Sequence, residues 1–287
     1  MIKVNINKKN LDYPFNTKLL IPKKSLYSKI WQNNTLQEEV SQKLLKIAKS
    51  IIDSMEIDVK IHDIIITGSL ASYNWHDMSD IDLHIMLDFT DINDDFSIVK
   101  KLLDQSRINW NKTHDIFIHD KEVELYFQDI NEPHESNGIW SIVSKKWIAE
   151  PVRLDPEIDL KNSEKKAQAL AQCIIHAEEL YKDKDYSSSY DFSSKLKRKI
   201  SKLRRAGLKR DGLYSQENLA FKMLRNSGYL ELLSWLKVKS FDKKMSLNEM
   251  YDYFPHKEDD FHEFEGKYDI EELLKKDGKC PWDYECD

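Results

Sequence analysis

At 287 residues, 40% hydrophobic and 11% aromatic, the chain has enough apolar material for one large domain or two ordinary ones. A third of it is charged (33%), the mean hydropathy is −0.64, and a net charge of −6 is too mild for a protein that coats nucleic acid by charge alone. No apolar run approaches the roughly 18 residues of a membrane span, the segment MIKVNINKKNLDYPF lacks the features of a secretory signal, and three widely spaced cysteines suit a reducing, cytoplasmic setting.

The first strong periodic segment is TLQEEVSQKLLKIAKSIIDSM, residues 35–55. Leu36, Val40, Leu44, Ile47, Ile51 and Met55 fall on one helical stripe, and Thr35 and Glu38 have capping-box spacing. VKIHDIIIT then reads as a strand ending at Gly68, and DIDLHIML as a second strand. DFSIVKKLLDQSRINWNKT reads as a helix. DIFIHDKEVELYFQD reads as a hairpin about a polar His119-Asp120-Lys121 turn. Helix, strand, strand, helix and hairpin in that order predict an α+β fold, with a small mixed β-sheet flanked by helices.

Beyond Pro151 and Pro156 the pattern turns helical, which predicts a mostly helical second part. From about residue 163, Ala167, Leu170, Ile174, Ala177 and Leu180 share a stripe. A further helix is expected around 193–206. Another, capped by Ser215, is expected to run through ENLAFKMLRNSGYLELLSWLK, and Ser246 with Glu249 has capping-box spacing. The expected domains are therefore 1–155, 156–251 and an acidic, aromatic-containing tail at 252–287. The tail has 13 acids against 5 lysines, whereas residues 195–210 carry nine Lys and Arg and no acid.

The chemistry is concentrated in IIITGSLASYNWHDMSDIDLHIML, residues 64–87. Alternate strand residues share a face, so Asp80, Asp82 and His84 lie opposite the apolar set Ile81, Leu83 and Ile85. Two carboxylates about 6–7 Å apart along a strand repel each other unless a cation lies between them, and a hard divalent ion such as Mg²⁺ suits oxygen donors. Upstream, the segment reads as strand, Gly68-Ser69 turn and short helix, an arrangement whose exposed N–H groups can cradle a phosphate.

A strand followed by Gly-Ser, about ten residues and Asp-x-Asp in a second strand resembles the DNA polymerase beta-like nucleotidyltransferase superfamily, through Gly68, Ser69, Asp80 and Asp82. The chain also looks similar to uncharacterised predicted nucleotidyltransferases such as those of large bacteriophages. The resemblance covers roughly residues 40–130. It implies that the two aspartates bind Mg²⁺ (or Mn²⁺) and that the Gly-Ser turn contacts a nucleoside triphosphate. A later strand would supply a third carboxylate. Glu124, between Val123 and Leu125, is the preferred candidate, and Glu122 on the same face is its rival. The implied reaction moves NMP from an NTP to an acceptor hydroxyl, with release of pyrophosphate. Acceptors such as RNA (tRNA included), a protein or another nucleotide stay open, as do a toxin or signalling enzyme of the same superfamily and an inactive nucleotide-binding or interaction protein.

Lys222 is the expected contributor to phosphate binding from the helical part, and Arg225 lies on the same helical face. Lys197, Arg204 and Arg205 in the basic stretch and the pair Lys145 and Lys146 are further candidates for phosphate or an RNA backbone. His84 reads as a polar neighbour of the site, and Ser79 and Thr67 as local hydrogen-bonding residues. His256, His262, Cys280 and Cys286 fit no standard zinc spacing.

Overall fold

A computed structural model describes residues 15–134 and 136–247. The acidic tail, Glu249 and the His/Cys group near the C-terminus lie outside the described residues. The fold is α+β, with a mixed sheet followed by a mostly helical part. Packing divides the chain into two compact units, one spanning Asn16–Glu157 and the other beginning at Ile158. Among the described residues, no helix is long and apolar enough to cross a membrane.

The first unit opens with a two-stranded hairpin, β1 (Trp31–Gln32) and β2 (Thr35–Leu36). Asn33 and Asn34 both adopt the left-handed conformation, φ 49° and 62°, which suits a tight hairpin turn. This hairpin removes Thr35 from the expected capping box: helix α1 (Glu38–Met55) starts at Gln37, with no side-chain cap. Val40, Leu44, Ala48 and Ile51 bury its apolar stripe. Strands β3 (Ile61–Thr67) and β4 (Ile81–Leu87) follow, then helix α2 (Phe96–Thr113), whose N-terminal amides donate to the Asp95 carboxylate.

Strands β5 (Phe117–Ile118) and β6 (Lys121–Asp129) form the expected hairpin, turned by left-handed His119. Two short strands that the periodicity did not reveal, β7 (Ile139–Ser141) and β8 (Lys146–Ala149), complete a six-stranded sheet in the order β5-β6-β4-β3-β7-β8. Only β4 and β6 pair in parallel, and their register sets Asp82 beside Glu124. On one face Ile64, Ile66, Ile81, Leu83, Ile85, Val123 and Leu125 pack with residues of α1 and α2 into the core. The opposite face carries Asp82, His84, Glu124 and Tyr126.

Two expectations in this unit are corrected. Lys121 is not part of an exposed turn. It opens β6 and is fully buried, with its ammonium donating to the carbonyls of His76 and Asp77 and lying 5.1 Å above the Tyr27 ring. The expected short helix after Ser69 is instead a run of turns through Asn74. Its carbonyls are drawn to outside donors: Leu70 accepts from the Trp31 indole at 2.7 Å and Tyr73 from the Lys23 amide at 2.7 Å. Those bonds compete with the i to i+4 ladder that a helix requires.

The second unit contains α3 (Leu160–Lys182), α4 (Tyr186–Asp211), α5 (Gln216–Asn226) and α6 (Tyr229–Met245). Helix α4 begins earlier than its periodicity predicts, because Asp185 caps it by accepting from the Ser188 amide. Ser215 caps α5 as expected, but the single long helix is broken at Gly228, whose φ of 75° starts α6. Ser246 ends α6, and the capping box expected from Ser246 and Glu249 lies partly outside the described residues. Buried serines allow close packing: Ser240 Oγ donates to Ser189 Oγ, which donates to Ala177 O, both at 2.9 Å. Gly207 permits the approach of α4 to the start of α5, where a Cβ would lie 2.7 Å from Ser215 Oγ and 2.8 Å from Glu217 Cβ.

Lys121→Met should destabilise the first unit by about 2–3 kcal/mol, since two buried carbonyls lose a charged donor. Urea unfolding of the variant and the parent chain measures the difference, and an unchanged midpoint would remove Lys121 from the forces that hold the 68–80 loop.

Candidate metal centre on the open sheet face

Three carboxylates meet where β4 and β6 run side by side. Asp80 immediately precedes β4, Asp82 lies within it, and Glu124 is the register partner of Asp82 on β6. One oxygen from each lies within 4.8 Å of the others, and all three residues are half-buried. Strand alternation places Asp82 and Glu124 on the face away from the core, because Ile81, Leu83, Val123 and Leu125 occupy the other. Among the described residues, no Lys or Arg forms an ion pair with Asp80 or Glu124.

Glu122, the rival, faces Phe117 across the hairpin and is exposed. Partial desolvation, and then the nearby charges of Glu124, Asp115 and Asp80, raise its pKa. The acidic field is felt elsewhere too. The Tyr126 hydroxyl donates to Glu124 Oε2 at 2.5 Å, and its pKa is raised by burial first and then by Glu124, Asp82 and Asp80.

Gly68 is shaped for Asp82. Its φ is +76°, and a Cβ there would lie 1.7 Å from Asp82 Oδ2. The glycine therefore ends β3 in a left-handed turn and leaves the space that the aspartate carboxylate fills. Ser69 Oγ donates to Ser79 Oγ at 2.8 Å, and Ser79 Oγ also accepts from the His76 amide. Through this pair the Gly68-Ser69 turn is joined to the residue before Asp80. The turn supplies backbone amides but no helix dipole. Thr67, in line with Asp82 and Glu124 across the sheet, donates to Gly138 O at 3.4 Å.

A pocket of about 420 Å³ flanks the carboxylates along the same face, lined by Thr67, His84, Arg107, Tyr126, Gln128 and His134 among others. His84 Nδ1 bonds to Gln128 Oε1 at 2.8 Å, and its ring lies 4.9 Å from that of Tyr126. Burial lowers the His84 pKa, which favours the neutral ring. The Arg107 guanidinium sits 4.7 Å above Tyr126 while its Nε bonds to Asp104 at 2.8 Å. Sequence reading missed Tyr126 and Gln128, although both follow Glu124 at the strand period.

The donor set fits a hard divalent cation. It offers only carboxylate oxygens, which such an ion prefers, the residues are partly shielded from water, and one oxygen of each lies within 4.8 Å of the others. Lys145 pairs with Glu38 at 2.8 Å and Lys146 opens β8. Lys222, Arg225, Lys197, Arg204 and Arg205 belong to the helical unit. Comparison with protein-family models, curated proteins and solved structures gave no match for this chain.

Gly68→Ala should push the Asp82 carboxylate out of line, and a misplacement of that size costs about a hundredfold in a positioned site. Mn²⁺ binding followed by electron paramagnetic resonance checks this on the folded variant: weaker binding is expected, and unaltered binding would detach Gly68 from the carboxylate cluster.

Proposed function

We propose that the chain is a Mg²⁺- or Mn²⁺-dependent nucleotidyltransferase that moves NMP from an NTP to an acceptor hydroxyl. The observation that carries the reading is the convergence of Asp80, Asp82 and Glu124 from two strands, within 4.8 Å, on a sheet face where no cation among the described residues pairs with Asp80 or Glu124. The Gly68-Ser69 turn supports it, because that turn abuts Asp82 directly and matches the pattern of the superfamily that the sequence resembles. A divalent cation held there would lower the pKa of an acceptor hydroxyl and neutralise charge developing on the α-phosphate.

In this reading Asp80 and Asp82 would hold the cation, and Glu124 would complete its ligand set. Tyr126 fixes one oxygen of Glu124 by its hydrogen bond, leaving the other free to ligate. The Gly68 and Ser69 amides meet the β- and γ-phosphates. The acceptor oxygen bonds to the α-phosphorus, the bond to the bridging oxygen breaks, pyrophosphate leaves and the hydroxyl proton passes to solvent. The flanking pocket, at about 420 Å³, has room for an organic group of the substrate.

Asp82→Ala should abolish NTP turnover while leaving far-ultraviolet circular dichroism unchanged, since the residue faces away from the core. The assay follows pyrophosphate release with each NTP in turn, in the presence of RNA or protein extract. Turnover equal to the parent in this variant would defeat the assignment. NTP binding with no product on any acceptor would instead describe a nucleotide-binding protein.

A further inference from the structure

Three cations in the helical unit converge without a counter-charge among the described residues. Asn218, Phe221, Lys222 and Arg225 lie at positions i, i+3, i+4 and i+7 of α5 and so share one face of that helix. Arg204 reaches this face from α4. It lies one turn before Gly207, where a Cβ would lie 2.8 Å from Glu217 Cβ of α5. The Arg204 guanidinium sits 4.1 Å over the Phe221 ring, and its Nε donates to Asn218 Oδ1 at 3.2 Å. Asn218 is buried and itself fixed, since its Nδ2 donates to Leu213 O at 2.7 Å. Arg204 is therefore held rigidly, with part of its fork engaged and the rest available.

Other cations nearby are neutralised. Lys166 and Arg210 both pair with Glu217. Among the described residues, neither Arg204, Lys222 nor Arg225 has a carboxylate partner, and Lys222 makes no hydrogen bond at all. Their mutual repulsion is a cost that the fold keeps. Burial, then the charges of Arg225 and Arg204, pushes the Lys222 ammonium down to about 8, and burial and then Arg225 lower Arg204. Such an arrangement loses energy until an anion arrives, and a phosphate group matches it well: arginine forks grip two phosphate oxygens while a lysine supplies a point charge.

We propose that Arg204, Lys222 and Arg225 form a binding site for a phosphate group of a nucleotide or nucleic acid. The site lies wholly within the helical unit and shares no residue with the carboxylate centre. It stands or falls independently of nucleotidyl transfer.

The test uses the full chain in EDTA, so that the carboxylate centre holds no cation, with calorimetric titration of inorganic pyrophosphate, ATP and a short single-stranded RNA. The parent chain should bind at least one of them. Arg225→Gln, at an exposed position, and Lys222→Met should each weaken that binding by about tenfold or more. Lys202→Gln, on the opposite side of the basic helix, should leave it unchanged. Pyrophosphate and ATP binding that depends on Arg225 would identify a nucleotide as the source, and RNA binding alone would identify a phosphodiester backbone. No binding of any probe, equal binding by Arg225→Gln and the parent chain, or an equal loss in Lys202→Gln would overturn the proposal.

Discussion

The parallel pairing of β4 with β6 is the constraint on which the candidate centre depends. Every other pairing in the main sheet is antiparallel, and this one sets Asp82 directly beside Glu124. Two carboxylates in one row of a sheet, with Asp80 at its end, repel each other. The arrangement persists because strong apolar burial on the reverse face fixes the register. A slip of one residue would expose Ile81, Leu83 and Leu125 and bury the acids instead. The core thus supplies the energy that holds an unfavourable charge cluster in place. Strain kept at one point and offset elsewhere is typical of sites with a ligand to bind.

The surrounding residues serve that geometry. Gly68 vacates the volume that the Asp82 carboxylate occupies, and Ser69 ties the turn to Ser79. Lys121 spends its buried charge on the carbonyls of His76 and Asp77, which anchors the loop leading to Asp80. Behind Glu124, the Tyr126 hydroxyl, the Arg107 guanidinium and the His84–Gln128 pair form a polar wall that continues into the flanking pocket. In the helical unit the same logic appears with the opposite sign. Gly207 brings α4 close to α5, and among the described residues the resulting cation cluster has no acid paired to it.

Much of this was legible in the chain, for identifiable reasons. Alternation of apolar and polar residues in DIDLHIML and KEVELYFQD assigned both strands and the face each carboxylate takes, because burial on one side enforces a period of two. The helix α2 follows from an equally local signal. Features set by distant contacts stayed hidden. The Asn33-Asn34 hairpin is too short for periodicity to show, and it dissolved the expected capping box. The turns after Ser69 replaced a helix because Trp31 and Lys23 compete for the carbonyls. Lys121 looked like part of a polar turn, since nothing local reveals that it is buried. Gly228 sat inside a helical pattern and ended it by adopting a left-handed φ. Convergence of Arg204 with Lys222 and Arg225 depends on helix packing that no spacing encodes.

The central claim is that Asp80, Asp82 and Glu124 act together in transferring a nucleoside monophosphate. Parallel incubations with α-labelled and γ-labelled NTP, Mg²⁺ and a mixture of RNA and protein acceptors test it directly. The account predicts that the α-label becomes attached to an acceptor while the γ-label is recovered in pyrophosphate. Transfer of the γ-label to an acceptor, or its release as inorganic phosphate with the α-label left in NDP, would contradict it.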